Sequence, residues 1–60
     1  MNAYEILNGW YITDYNEIIS EPFETESKLI EYCRNLPGVR LATYSHYINN
    51  ELVSEGQQEF

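Results

Sequence analysis

Asparagine turn signals stand near both ends of this chain, Asn8-Gly9 and Asn49-Asn50, and one stretch between them repeats its apolar residues at helical spacing. That arrangement constrains the fold to a sheet carrying one helix. Asn-Gly is the strongest short hairpin signal, because both residues tolerate positive φ. Here it separates Tyr4-Glu5-Ile6-Leu7 from Trp10-Tyr11-Ile12-Thr13, and Asn49-Asn50 is a weaker form of the same signal. A third turn at Tyr15-Asn16 folds 10–14 back onto 17–20. The expected strands lie near 3–7, 10–14, 17–20, 39–48 and 51–55.

The helix is expected near 25–36. Thr25 can cap the first turn through its hydroxyl, and Glu24 and Glu26 lie at the positive end of the helix dipole. Leu29, Cys33 and Leu36 fall at i, i+4 and i+7, with Ile30 widening the stripe. Pro37-Gly38 stops it. A helix this short is not stable alone, so it must pack on the sheet. The fold class is therefore α+β, a small antiparallel sheet of four to five strands with one helix on one face, in ββαββ order. Residues 1–55 form the single domain and 56–60 read as a flexible tail.

The expected core contains Trp10, Ile12, Ile18 or Ile19, Phe23, Leu29, Ile30, Cys33, Leu36, Val39, Leu41 and Leu52 or Val53. Along 39–48, Val39, Leu41 and Thr43 share one face, while Arg40, Ala42, Tyr44, His46 and Ile48 share the other. Assigning the first set to the core leaves an aromatic second face with no helix to cover it.

Sixty residues bury only about 60% of the surface their unfolded chain exposes, so stability is modest. Cys33 is the only cysteine and His46 the only histidine, which excludes an internal disulfide and gives no zinc ligand set. Oligomerisation remains as a support, and six Tyr, two Phe and one Trp make a homodimer an open expectation. No apolar run suits a signal peptide or a membrane span. A free thiol without a secretion signal points to a cytoplasmic location, or a host's cytoplasm for a viral gene.

The net charge is −7, and Asp14, Glu17, Glu21, Glu24 and Glu26 crowd the second hairpin and the helix start. Such a patch can attract a basic protein surface or imitate the phosphates of DNA. The competing explanation is a solvated exterior that favours solubility. Three certain cations, Lys28, Arg34 and Arg40, are too few for direct nucleic-acid binding. Tyrosine is favoured at interfaces for its large area and few rotatable bonds, and equally on half-buried strands. Tyr15 joins the acidic patch, and Tyr44, His46 and Ile48 are the expected exposed contact face.

Chemistry has little support in the pattern. Cys33 lies on the buried stripe of the helix, where a thiol is an inert small hydrophobe. The acids 14–17 lack the glycine and distal glutamate of a calcium loop. Cofactor, metal and catalytic residues are all expected to be none.

The Gly9-Trp10-Tyr11 start, the hairpin, the helix near 25–36, a strand and the late Ile48-Asn49-Asn50 turn resemble the small accessory proteins of tailed phages, including antitoxins of the Dmd type that block a host RNase toxin. The resemblance implies a non-enzymatic inhibitor, and no functional residue is carried over from it. The expected function is an acidic binding protein, with no membrane contact, that occupies a basic surface of a host protein. The alternative is a structural homodimer packed through the aromatic sheet face.

Overall fold

The computed structural model describes residues 6–60. Its elements are β1 (Gly9–Asp14), β2 (Glu17–Ile18), α1 (Glu26–Arg34), β3 (Leu41–Ile48) and β4 (Glu51–Glu59). The strands form one sheet in the order β2-β1-β3-β4, with every neighbouring pair antiparallel. The α+β class and the ββαββ order stand. Of the expected strand at 3–7, residues 3–5 lie outside the described residues, while Ile6 and Leu7 are not in a strand.

Two hairpins follow from the turn residues. Tyr15 and Asn16 have φ of 50° and 68°, and Asn49 and Asn50 have 48° and 70°. Both residues of each loop are left-handed, which is the two-residue geometry that matches strand twist. Asn8-Gly9, the strongest signal, is not a hairpin. Gly9 opens β1 at φ 133°, opposite Tyr47. A Cβ there would sit 2.9 Å from Pro22 Cβ and 3.1 Å from the Phe23 carbonyl oxygen. The glycine therefore serves a close crossing of two chain segments.

The segment after β2 continues along β1 irregularly. Ile19 N–H donates to the Ile12 carbonyl (2.9 Å), and the Ser20 hydroxyl accepts the Ile12 N–H (2.9 Å) in place of a backbone carbonyl. Pro22 has no N–H to offer. Pairing then resumes, with Trp10 and Phe23 exchanging N–H···O bonds of 3.0 and 2.8 Å.

The helix forms as its caps dictate. Thr25 is extended and its hydroxyl accepts the Lys28 N–H (3.2 Å), Glu26 stands in the first turn and Arg34 in the last. Gly38 at φ 81° releases the chain toward β3. Leu29, wholly buried, and Cys33 press onto Ala42 and Tyr44, with Trp10, Ile12, Phe23, Ile30 and Val39 around them.

This core corrects the expected face of the fourth strand. Ala42, Tyr44 and His46 face the helix, while Leu41 is 49% exposed on the other side. Val39 does pack on the core, but it precedes β3, so its alternation does not carry into the strand. The Tyr44 ring has room because Gly56 lies opposite it: a Cβ at Gly56 would fall 2.8–2.9 Å from the Tyr44 ring and hydroxyl. The Tyr44 hydroxyl donates to Glu26 Oε2 (2.5 Å). Leu36, Leu52 and Val53 are exposed rather than core, as is Ile19. Most of the expected tail, residues 56–59, instead completes β4, and Phe60 N–H just beyond it donates to the Arg40 carbonyl (2.9 Å).

Candidate partner-binding cleft

The helix ends too soon to cover the whole sheet face. Between its last turn and the β1–β2 hairpin lies an open cleft of about 540 Å³. Ile12, Cys33, Val39 and Ala42 line its depth, and Ile19, Tyr32 and Leu36 form walls that remain well exposed. Among the described residues lining it, Asp14 is the only charged one, and Tyr15 stands at its mouth. Exposed apolar surface gathered around a recess marks a binding site more often than scattered exposed leucines do.

The expected acidic site divides in this structure. Asp14 and Glu17 pair across the end of the β1–β2 hairpin, with Tyr15, 94% exposed, between them at the tip. Those three come together at the hairpin tip, and Asp14 and Tyr15 line the cleft. Glu21 and Glu24 belong to the segment leading to the helix. Glu24 lines a separate shallow recess with Asn8, Gly9, His46 and Ile48, at the opposite end of β1. It also approaches Lys28 at 3.5 Å, an exposed contact of little energetic weight. Glu26 is engaged by the Tyr44 hydroxyl and supports the fold.

The expected contact face of Tyr44, His46 and Ile48 is also corrected. Tyr44 is 7% exposed, held between helix and sheet. His46 is half-buried, its ring stacked on Trp10 with centroids 4.0 Å apart and planes 6° from parallel. Ile48 alone is open to solvent. The opposite sheet face is not an aromatic sheet waiting for cover. Tyr11 is buried there, edge-on to Tyr47 (5.9 Å, 77°), and its hydroxyl accepts the Asn8 N–H (3.0 Å). Thr43 Oγ1 donates to the Thr13 carbonyl (2.6 Å), and the neighbouring Ser45 is buried.

Two side chains of the core titrate above their ordinary values. Burial pushes the Cys33 thiol up from its ordinary value, so it stays neutral at the floor of the cleft. The hydrogen bond to Glu26 raises the Tyr44 hydroxyl, and burial and the carboxylate charge act in the same direction. Among the described residues, no three or more His, Cys, Asp or Glu side chains are arranged to hold a metal ion. Nor is any described helix long and apolar enough to cross a membrane.

Sequence reading missed Ile19, Tyr32 and Leu36 as cleft walls. One signal was present: adjacent Ile18 and Ile19 cannot both enter one core from an extended segment, so one must face elsewhere. Comparisons with protein-family models, curated proteins and solved structures found no match to this chain.

Proposed function

We propose that this chain is a non-enzymatic binding protein, of the phage accessory kind it resembles, and that it inhibits or redirects a partner protein by occupying a basic surface of that partner. Apolar side chains of the partner enter the cleft between the helix and the first hairpin. Asp14 and Glu17 at the hairpin tip steer the encounter and meet basic groups beside the apolar contact.

Tyr15 is the observation that carries this reading. An aromatic residue at φ 50° costs about 1–2 kcal/mol relative to ordinary backbone. Asparagine or glycine would fill the turn without that strain. Tyr15 gains nothing in return from the fold, because its side chain stands almost wholly in solvent. A strained, exposed aromatic flanked by two acids at the mouth of an apolar recess suits a contact residue. Among the described residues, Asp14 and Glu17 have no ion-pair partner, which leaves both carboxylates available.

Affinity capture from the native host, with wild type and three variants side by side, tests the proposal. A basic protein captured by wild type should bind Tyr15→Ala or Ile19→Ser about tenfold or more weakly, with the loss mainly in dissociation. Asp14→Lys with Glu17→Lys should slow association and remove most of its salt dependence. Equal binding by wild type and all these variants eliminates the cleft as the site.

A further inference from the structure

The sheet has two edges, and the chain treats them differently. On the β1 side, the edge is blunted by a two-residue β2, the Ser20 hydroxyl and Pro22. On the other side runs β4, nine residues long, which pairs only with β3 among the described residues. All of its residues but Gly56 are exposed.

Its free backbone groups can be assigned. Phe60 N–H donates inward to the Arg40 carbonyl. Hydrogen-bonded and non-bonded pairs alternate along an antiparallel ladder, so Gln58 and Gly56 also face β3. Ile12, opposite Tyr44, supports this phase by turning its own N–H and carbonyl away, to Ser20 and Ile19. Glu55, Gln57 and Glu59 therefore point their N–H and C=O groups out from the sheet. The same residues put two carboxylates on one face, opposite Ser45 and Leu41.

We propose that β4 is a docking edge for an extended basic segment of a partner protein, which adds to the sheet as a fifth strand through the outward groups of Glu55, Gln57 and Glu59. Strand addition supplies affinity through main-chain bonds, and alternate side chains supply selectivity. Here the selecting groups are Glu55 and Glu59, so the incoming strand carries Lys or Arg on the facing positions. A second copy of this chain is the wrong occupant. Pairing two β4 edges to use all three outward residues, centred on Gln57, sets Glu55 against the partner copy's Glu59 twice, and like charges directly opposite are destabilising. The inference takes the sign of the partner's charge from the function proposed above, but the surface is separate from the cleft.

The probe is a short capped peptide alternating Lys and Thr, titrated onto the full chain at low salt, with its Glu–Thr counterpart as control. Binding should slow hydrogen exchange at the Glu55, Gln57 and Glu59 amides, with no such effect from the Glu–Thr peptide. Gln57→Pro removes one outward donor but no bond to β3, a placement proline tolerates at an edge. It should weaken the Lys–Thr peptide about tenfold or more while circular dichroism stays unchanged. Glu55→Lys with Glu59→Lys leaves the backbone intact and should reverse the preference toward the Glu–Thr peptide, which decides the matter even where the proline variant fails to fold. Ile19→Ser, which alters only the cleft, should leave peptide binding as it was. Unchanged exchange at the three amides overturns the proposal, as does indifference of binding to the charge reversal. Loss of binding in Ile19→Ser would move the contact to the cleft and also overturn it. Concentration-dependent protection of the same amides without peptide would assign the edge to a second copy instead.

Discussion

Tyr15 and Asn16 turn the β1–β2 hairpin, and Asn49 and Asn50 turn the β3–β4 hairpin with almost the same backbone angles. The second turn is built into the fold. Asn50 donates its N–H to the Leu7 carbonyl (2.8 Å), and its side-chain oxygen accepts the Leu7 N–H (2.6 Å). The first turn projects a tyrosine into solvent, and its returning strand ends after two residues. One hairpin is tied into the fold by its turn residues, and the other leaves its turn residue in solvent. The difference lies in residue choice, since the turn geometry is shared.

Changes to the second hairpin should have the largest effect. Gly56→Val places a side chain where the Tyr44 ring lies and should destabilise the fold by about 2–3 kcal/mol, read by urea denaturation. That is a large fraction of what a domain this small can hold. A stability loss below the error of the measurement would remove the Tyr44–Gly56 contact from the account.

Tyr44→Phe comes next, removing a hydrogen bond to a carboxylate worth about 1.5–3 kcal/mol when well desolvated, with the partial exposure of Glu26 favouring the lower end. The pH dependence has a definite sign. Tyr44 is raised above its ordinary value of 10.0, so the unfolded chain loses that proton first as pH rises. The stability contributed is complete below about pH 10 and is lost above it, through the folded-state value. Cys33, raised from 9.0, adds a loss of the same sign that begins lower. Denaturation curves of wild type and Tyr44→Phe should therefore converge in alkali, and parallel curves would refute the coupling.

The smallest effects should come from exchanging the turns. Tyr15→Asn should stabilise by about 0.5–1 kcal/mol, and Asn49→Tyr should destabilise by about 1 kcal/mol. If Tyr15→Asn is neutral or destabilising, the tyrosine contributes to the fold and the contrast between the hairpins is lost. If it is stabilising and impairs partner capture, the contrast is sharpened.

Local signals were readable where the chain depends on itself alone. The Thr25 cap, the Leu29–Cys33 spacing and the Tyr15-Asn16 and Asn49-Asn50 turns all have causes within a few residues, and each appears where expected. The face of β3 did not. Alternation divides a strand into two sets of side chains without saying which one meets the helix. Leucine and valine pointed one way, but Tyr44 turns inward because a glycine opposite it in another strand leaves space. Gly56 itself read as the start of a tail because its partner lies in β3, not beside it. Asn8-Gly9 misled for a similar reason, since its glycine answers to Pro22 and Phe23. Of the candidate site, Asp14, Tyr15 and Glu17 were legible as a hairpin tip. The separation of Glu24 and Glu26 from them depends on where the helix lands.

The ring of Tyr44 over Gly56 has one more consequence. β4 is polar on both sides along much of its length, and such strands hold their alignment weakly. A slip of two residues keeps every side chain on its original face, so burial alone offers no objection. It would, however, bring Ser54 or Gln58 opposite Tyr44, and the side chain of either would occupy the space of the ring. Only one residue of β4 can lie beneath that tyrosine. The pair thus acts as an index mark that fixes where a glutamine- and glutamate-rich ribbon must stop sliding.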